Sequence, residues 1–226
     1  MPAKNSIKQY LENGYYHLYN RGIDKQLIFR DRQDYNVFLS YLGQYLLPKD
    51  ENGLRDKLTS QDTSYQEKDK IIKLLNLNNF YTEITMLAFC LMPNHFHFLI
   101  KQSIFDTIDQ FLNSLGTRYS MYFNRKYKRI GPLYQGVYKA VIVSSDEQLL
   151  HLSRYIHHQA LASQGDALEA KQPSSYSDYL GITHTPWVEA KEILSFFSKS
   201  NPKLSYQSFV KQNEDFALIN KLALED

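Results

Sequence analysis

The chain has 226 residues, 43% of them hydrophobic, and its 26 lysines and arginines against 24 aspartates and glutamates give a net charge of +2. This composition excludes an intrinsically disordered protein, which combines low hydrophobicity with high net charge. No apolar run approaches the roughly 18 residues of a membrane span, and no signal peptide opens the chain, so we expect a soluble, cytoplasmic protein with no membrane partner. The lone cysteine, Cys90, excludes an internal disulfide.

The first predicted elements are a strand and a helix. Residues 15–20 are rich in aromatics and end at the turn signal Asn20-Arg21-Gly22, which predicts a short strand. Apolar residues then recur at helical spacing after Asp31, so a helix ending near Pro48 is predicted. Residues 49–79 are charged and polar, and we interpret them as a surface insertion with one short helix near its end.

The second half alternates strands and helices. The predicted elements are strand, strand, helix, strand and helix, over residues 81–92, 95–100, 105–126, 138–144 and 146–161. The complete order predicts an α+β, ferredoxin-like (split βαβ) fold, an antiparallel sheet with helices on one face. We expect a domain over residues 1–162 and a helical C-terminal extension over 163–226, with helices from Pro186 and near residues 209–224.

Two histidines on one predicted strand are candidate metal ligands. His95 and His97 are two residues apart, so their side chains share one face of the strand, while Phe96 and Phe98 point to the other. Neutral imidazole is a common metal ligand, and two neighbouring rings make half of a site. Two hydrogen-bonded histidines on a wet sheet face are the alternative, and a third ligand is needed.

The helix predicted over residues 146–161 could complete the site. Tyr155 and Gln159 are four residues apart and therefore share a helix face, at the edge of an apolar stripe. A tyrosine in this position is ordinarily a core residue. If the helix packs on the face that carries the histidines, its phenol could act as a nucleophile on a phosphodiester, and Gln159 could supply the third ligand.

A basic, aromatic segment covers residues 110–145, which contain no aspartate or glutamate. Its basic residues are Arg118, Arg125, Lys126, Lys128, Arg129 and Lys139. Tyrosines and phenylalanines are interleaved with them, and lysine, arginine and aromatic rings are the groups that bind phosphates and stack on bases. The segment favours nucleic-acid contact over the alternative, a solvated helix face with its aromatics in the core.

Four ordered blocks of the sequence match a known pattern. They are YHLYNRG, LMPNHFHFL, GPLYQG and RYIH, at residues 16–22, 91–99, 131–136 and 154–157. In these blocks the chain resembles the single-tyrosine HUH transposases, the insertion-sequence-200-like proteins, and especially their branch associated with repetitive extragenic palindromes (REP). The resemblance covers about residues 15–162. It does not extend to the insertion at residues 49–79 or to the tail.

The resemblance implies a ferredoxin-like enzyme that cleaves and rejoins single-stranded DNA, usually next to hairpins, through a 5′-phosphotyrosine. Tyr155 matches the nucleophile, His95 and His97 match the metal-binding pair, and Gln159 matches the third ligand to Mg²⁺ or Mn²⁺. The chain departs from the REP-associated branch at Gln159-Ala160, where that branch has Asn-Pro, and at Val137, where relatives often carry arginine. Relatives differ in oligomeric state, so monomer and homodimer both stay open.

The expected partner is single-stranded or hairpin DNA. The residues that we expect to contact it are Asn20, Arg21, Arg118, Arg125, Lys126, Arg129 and Lys139. Two alternatives to the transposase remain. One is a domesticated nucleic-acid-binding protein without cleavage activity, and the other is a metal-dependent hydrolase that uses His95 and His97 with a water nucleophile.

Overall fold

The computed structural model describes residues 8, 10–162, 172–201 and 204–212. A four-stranded sheet forms the centre, with the strands β1 (Tyr15–Arg21), β2 (Ile84–Met92), β3 (His95–Gln102) and β4 (Lys139–Val143). Their order is β2-β3-β1-β4, and every neighbouring pair is antiparallel. This is the strand order of the ferredoxin-like fold, so the predicted fold class is confirmed.

Two helices cover the first face of the sheet. They are α1 (Arg32–Leu46) and α4 (Thr107–Tyr127), close to the predicted bounds. The side chain of Asp31 accepts a hydrogen bond from the backbone N–H of Asp34 and caps α1, as expected for an aspartate at this position. Fully buried Phe38 and Phe111 pack with Phe98 of β3 in one hydrophobic core between the helices and the sheet.

The polar insertion is more regular than predicted. It contains two helices, α2 (Glu51–Thr59) and α3 (Tyr65–Leu75), instead of the single short one. Ser64 and Glu67 form a capping box at the start of α3. Within the two helices only Ile71 is buried, so the insertion lies on the surface as expected.

The second face of the sheet is covered by α5 (Asp146–Ala162). The prediction of helices on one face describes α1 and α4, and it must be extended, because α5 packs on the opposite face. Leu152 and Ile156 of α5 are buried with Leu99 of β3 in a second core. Since alternate residues of a strand point to opposite faces, β3 contributes Phe98 to one core and Leu99 to the other.

The described part of the C-terminal extension lies along the edge strand β2 and against α5. Its helices are short: α6 (Tyr176–Tyr179), α7 (Lys191–Leu194) and α8 (Tyr206–Lys211). The helix predicted from Pro186 is therefore reduced to α7, and residues 213–224 of the last predicted helix lie outside the described residues. Tyr176, Tyr179 and Tyr206 are buried in the second core. Among the helices of the described ranges, none has the length and apolar character needed to cross a membrane.

Candidate active site

The strand register places both predicted histidines on the face covered by α5. Arg21 of β1 lies opposite His95 of β3, and Tyr19 lies opposite His97. The two imidazole ring centroids are 4.9 Å apart. His97 is 2% exposed, whereas His95 is half-buried at the end of the strand.

The ring of His95 is oriented by the residue before it. Its Nδ1 donates a hydrogen bond of 2.6 Å to the side-chain oxygen of Asn94. The amide of Asn94 is itself fixed, because its nitrogen donates to the backbone oxygen of Lys25 at 3.3 Å. A proton on Nδ1 leaves the lone pair of a neutral imidazole on Nε2, which is the atom available to a metal.

His97 is oriented by a third histidine. The Nε2 atom of His17, on β1, lies 2.9 Å from Nδ1 of His97, and the two rings stack with centroids 5.1 Å apart. His17 is fully buried. When His97 carries its proton on Nδ1 and donates it to His17, its Nε2 becomes a ligand atom as well.

The donor set fits a divalent cation. Two imidazoles with fixed Nδ1 bonds are a preorganised half-site, and both Nε2 atoms are buried. The described part of the chain holds no group of three histidine, cysteine, aspartate or glutamate side chains that could bind a metal. Gln159, the third ligand that the sequence resemblance implies, is half-buried on α5.

Tyr155 lies against the histidines. It projects from α5 onto the sheet, its ring centroid is 5.5 Å from that of His97 and 6.3 Å from that of His17, and both contacts are edge-on. Only 4% of the tyrosine surface is exposed. Ser145 caps the helix that carries it, because the hydroxyl of Ser145 accepts a hydrogen bond from the N–H of Gln148.

A buried hydrogen-bond network fixes α5 next to Tyr155. The Nδ1 and Nε2 atoms of His157 lie 2.6 Å from the hydroxyl of Tyr206 and 2.7 Å from that of Ser175. Burial lowers the pKa of His157 to about 3, so the ring is neutral in the folded protein. Tyr206 donates in turn to Ser153, one turn earlier on α5. The network therefore joins the tyrosine helix to the C-terminal extension.

Two of the seven expected DNA contacts, Lys126 and Arg118, bind residues of α1 and its N-cap. Lys126 forms ion pairs of 2.7 and 2.8 Å with Asp31 and Asp34. The guanidinium of Arg118 lies 3.7 Å above the ring of Tyr41 and donates a 2.6 Å hydrogen bond to Gln44. Both side chains therefore contribute to the packing of α1 on α4.

The other five surround the loop between α4 and β4. Asn20 donates to the backbone oxygen of Gly136, and Arg21 donates to the side chain of Gln135. Arg129 donates weakly to Asn124 at 3.3 Å. Arg125 is exposed and Lys139 is half-buried.

Three residues of the site, His17, Asn94 and His157, have structural roles that the sequence motifs alone do not indicate. The role of His17 could have been found from the strand order, since β1 beside β3 places His17 on the same face as His97. The role of His157 depends on Ser175 and Tyr206, which are distant in sequence. No local pattern identifies such partners.

One protein-family model matches part of the chain. Residues 55–159 match the family model described as IS200-like transposase, which is somewhat less than half of the chain and includes both histidines, Tyr155 and Gln159. This match confirms the resemblance found in the sequence blocks. No curated protein matches the chain.

Two solved structures are similar to the chain at low identity. One is a REP-associated tyrosine transposase bound to a REP hairpin, with 12% identity, a TM-score of 0.42, and coverage of 81% of this chain and 95% of that one. The other is a candidate transposase from Deinococcus radiodurans R1, with 19% identity, a TM-score of 0.29, and coverage of 68% and 96%.

Proposed function

We propose, from the match of residues 55–159 to the IS200-like transposases and from the geometry around Tyr155, that this chain cleaves and rejoins single-stranded DNA next to hairpins. The observation that carries the proposal is the position of Tyr155, whose ring packs edge-on against His97. This contact requires both that the register of β3 places His97 on the second face of the sheet and that α5 packs on that same face. A core tyrosine does not require two oriented histidines beside it.

Tyr155 supplies the nucleophile of the reaction. Its phenol oxygen attacks the phosphorus of the scissile phosphodiester, a new bond forms between that oxygen and phosphorus, and the bond from phosphorus to the 3′ oxygen breaks. The products are a 5′-phosphotyrosine and a free 3′-hydroxyl, since the proton given up by the phenol is balanced by the proton taken up by the leaving 3′ oxygen. Because the energy of the phosphodiester is kept in the covalent bond, a 3′-hydroxyl can attack it in the reverse sense and rejoin the strand without ATP.

The other residues of the site would bind the metal ion and the DNA, or orient the side chains that do. His95, His97 and Gln159 would hold Mg²⁺ or Mn²⁺, which when bound polarises the phosphate and offsets its developing charge. His17 and Asn94 fix the two imidazole rings. Among the expected DNA contacts, Arg21, Arg125, Arg129 and Lys139 would bind the phosphate backbone. Asn20 positions the loop beside them through its bond to Gly136.

The test is a covalent-adduct assay. The full chain is incubated with a pool of hairpin-bearing single-stranded DNAs and Mn²⁺ or Mg²⁺, and the products are examined for a protein–DNA adduct that survives SDS. We expect the adduct with the wild type, and we expect it to be lost in Tyr155→Phe and in the presence of EDTA. The matched control is Tyr65→Phe, because Tyr65 is 88% exposed on α3, away from the sheet.

Each alternative has its own outcome. DNA binding without an adduct in any condition would favour a non-cleaving nucleic-acid-binding protein. Cleavage that persists in Tyr155→Phe would favour a water nucleophile. A parallel pool in which the hairpin stems are unpaired tests the hairpin requirement, and equal adduct formation on both pools would contradict it.

A further inference from the structure

Arg21 lies beside the candidate metal ligands. It is the last residue of β1, and the strand register sets it directly opposite His95. Residues that face each other across an antiparallel pair point to the same side of the sheet, with Cβ atoms about 5 Å apart. The preceding row on that side holds His97, Tyr19 and Lys139, since Tyr19 is paired with one on each neighbouring strand. The side chain of Arg21 therefore lies on the face that carries the histidines.

The charge of Arg21 suits a phosphate that is also bound to a cation. The strands β1, β3 and β4 contain no aspartate or glutamate, so they bring no carboxylate to this face. A guanidinium and a divalent cation on one side of a sheet repel each other, and an anion between them turns the repulsion into attraction. The planar fork of arginine also matches a phosphate, to which it can donate two parallel hydrogen bonds.

Gln135 holds both the backbone and the side chain of Arg21. The N–H of Gln135 donates to the carbonyl oxygen of Arg21 at 2.9 Å, and its side-chain oxygen accepts a hydrogen bond from Nε of the guanidinium. The N–H of Arg21 donates at 2.9 Å to the side-chain oxygen of Asn20. These bonds fix the strand end, and the one to Nε fixes the plane of the guanidinium. No step of the proposed reaction gives Gln135 another role.

We propose that Arg21 is a catalytic residue that binds the scissile phosphate and that Gln135 is the positioning residue that orients its guanidinium, an inference that rests on the proposed function. The guanidinium would donate to the non-bridging oxygens of that phosphate, on which negative charge develops as the phenol oxygen of Tyr155 attacks. Arg21 transfers no proton, and the bonds that form and break are those of the proposed reaction. The other basic residues would bind neighbouring phosphates and so determine affinity, whereas Arg21 would determine the rate.

The test measures the rate of adduct formation separately from DNA affinity. The full chain is held in excess over a hairpin-bearing strand that it cleaves, with saturating Mn²⁺, and the single-turnover rate is followed as the protein concentration rises. The maximum rate reports the reaction within the complex, and the half-saturating concentration reports binding.

Arg21→Lys keeps the positive charge but loses the planar fork and the N–H that Gln135 accepts. We expect the maximum rate to fall about 100-fold, the usual cost of removing one donor to a developing charge. We expect the half-saturating concentration to change by less than about threefold, because the charge that attracts the phosphates is retained.

Gln135→Ala leaves Arg21 in place without its orienting bond, and we expect the maximum rate to fall about tenfold. In the Arg21→Lys background the same replacement should have no further effect, because lysine has a carbon atom in the position of Nε. A merely structural role of Gln135 would slow both backgrounds equally. Gln66→Ala and Arg55→Lys are the matched controls, since both residues are exposed on the helices of the insertion, and we expect wild-type rates from them.

A maximum rate of Arg21→Lys equal to that of the wild type would overturn the inference. So would a loss confined to the half-saturating concentration, or an equal effect of Gln135→Ala in both backgrounds. Calorimetric titration of Mn²⁺ into the DNA-free variants should give an unaltered affinity, and a lower affinity would assign the loss of rate to the metal site instead.

The wild type distinguishes this inference from the proposed function. If it forms no adduct, the proposed function fails and the role of Arg21 fails with it. If it forms the adduct and the Arg21 and Gln135 variants form it at the same maximum rate, only the inference fails.

Discussion

Nε2 of His17 and Nδ1 of His97 lie 2.9 Å apart across two neighbouring strands, and this contact connects the candidate metal ligand to the centre of the sheet. Both residues are almost completely buried. The ring of His97 therefore cannot rotate without loss of a hydrogen bond in a region that excludes water. The orientation of the ligand is a property of the fold before any cation binds.

The first prediction concerns metal affinity. In His17→Ala, Nδ1 of His97 loses its partner, so the tautomer with Nε2 available to a metal is no longer favoured. We expect the affinity for Mn²⁺ to fall by about 10- to 100-fold, the usual cost of removing a group that orients a ligand. Calorimetric titration of Mn²⁺ into the DNA-free protein measures it.

Two further variants test whether the loss of Mn²⁺ affinity comes from the hydrogen bond between His17 and His97. In His17→Gln an amide oxygen can accept from Nδ1 of His97, and we expect part of the affinity to return. In His158→Ala an exposed histidine of α5 is removed, and we expect no change. An unaltered Mn²⁺ affinity in His17→Ala would show that His17 only fills space.

The second prediction separates two arginines of α4. Arg125 is exposed, and its replacement by alanine should lower DNA affinity and reduce the slope of log K against log salt by about 0.7, the value for one phosphate contact on a single strand. Arg118 packs on Tyr41, so Arg118→Ala should leave that slope unchanged and lower the stability by about 1–2 kcal/mol. Binding titrations at several salt concentrations, with thermal melting, test both. A smaller slope in Arg118→Ala would place that residue on the DNA.

The third prediction concerns the network behind Tyr155. In His157→Phe the ring volume is kept, but the hydroxyls of Tyr206 and Ser175 lose their partner in a buried region. We expect the free energy of unfolding to fall by about 1–3 kcal/mol. Urea denaturation measures it, and His184→Phe, at an exposed position, should cost less than about 0.5 kcal/mol. Equal stabilities of the two variants would contradict the structural role of His157.

The fourth prediction concerns acid stability. Burial alone would raise the pKa of Asp34, but hydrogen bonds from Lys126, the N–H of Arg30, Tyr127 and Tyr122 outweigh it and lower that pKa. A carboxylate with a lowered folded-state pKa stabilises the protein above its unfolded value of about 3.9, and the contribution is lost as the pH falls through the folded-state pKa. Asp34→Asn should therefore destabilise the protein by about 1–3 kcal/mol near neutral pH and progressively less below about pH 4.

Urea denaturation at several pH values follows this difference. The control is Asp69→Asn, since Asp69 forms an exposed ion pair with Lys73 on α3 and should contribute less than about 0.5 kcal/mol. A destabilisation by Asp34→Asn that is the same at low and neutral pH would mean that the charge of Asp34 plays no part.

The strands of the sheet and half of the site could be predicted from the sequence, because both depend on patterns between residues that are close together in the chain. Alternation places His95 and His97 on one face, and helical spacing places Tyr155 and Gln159 on one side of α5. Helical spacing does not say which face of the sheet a helix covers, and so the position of α5 opposite α1 and α4 was not predicted. The absence of acidic residues from a segment is also a limited guide to DNA contacts. Lys126 belongs to the basic segment, but it pairs with Asp31 and Asp34, which lie 95 and 92 residues earlier in the chain.

The burial of Tyr155 has a consequence for the fate of a cleaved strand. With 4% of its surface exposed and its helix fixed through His157, the tyrosine offers little room for solvent on its own side of the site. A covalent phosphotyrosine formed there would be shielded from bulk water, and an active site that excludes water suppresses hydrolysis of its intermediates. If the proposed reaction takes place, the attached DNA end would then persist until a 3′-hydroxyl is delivered to it.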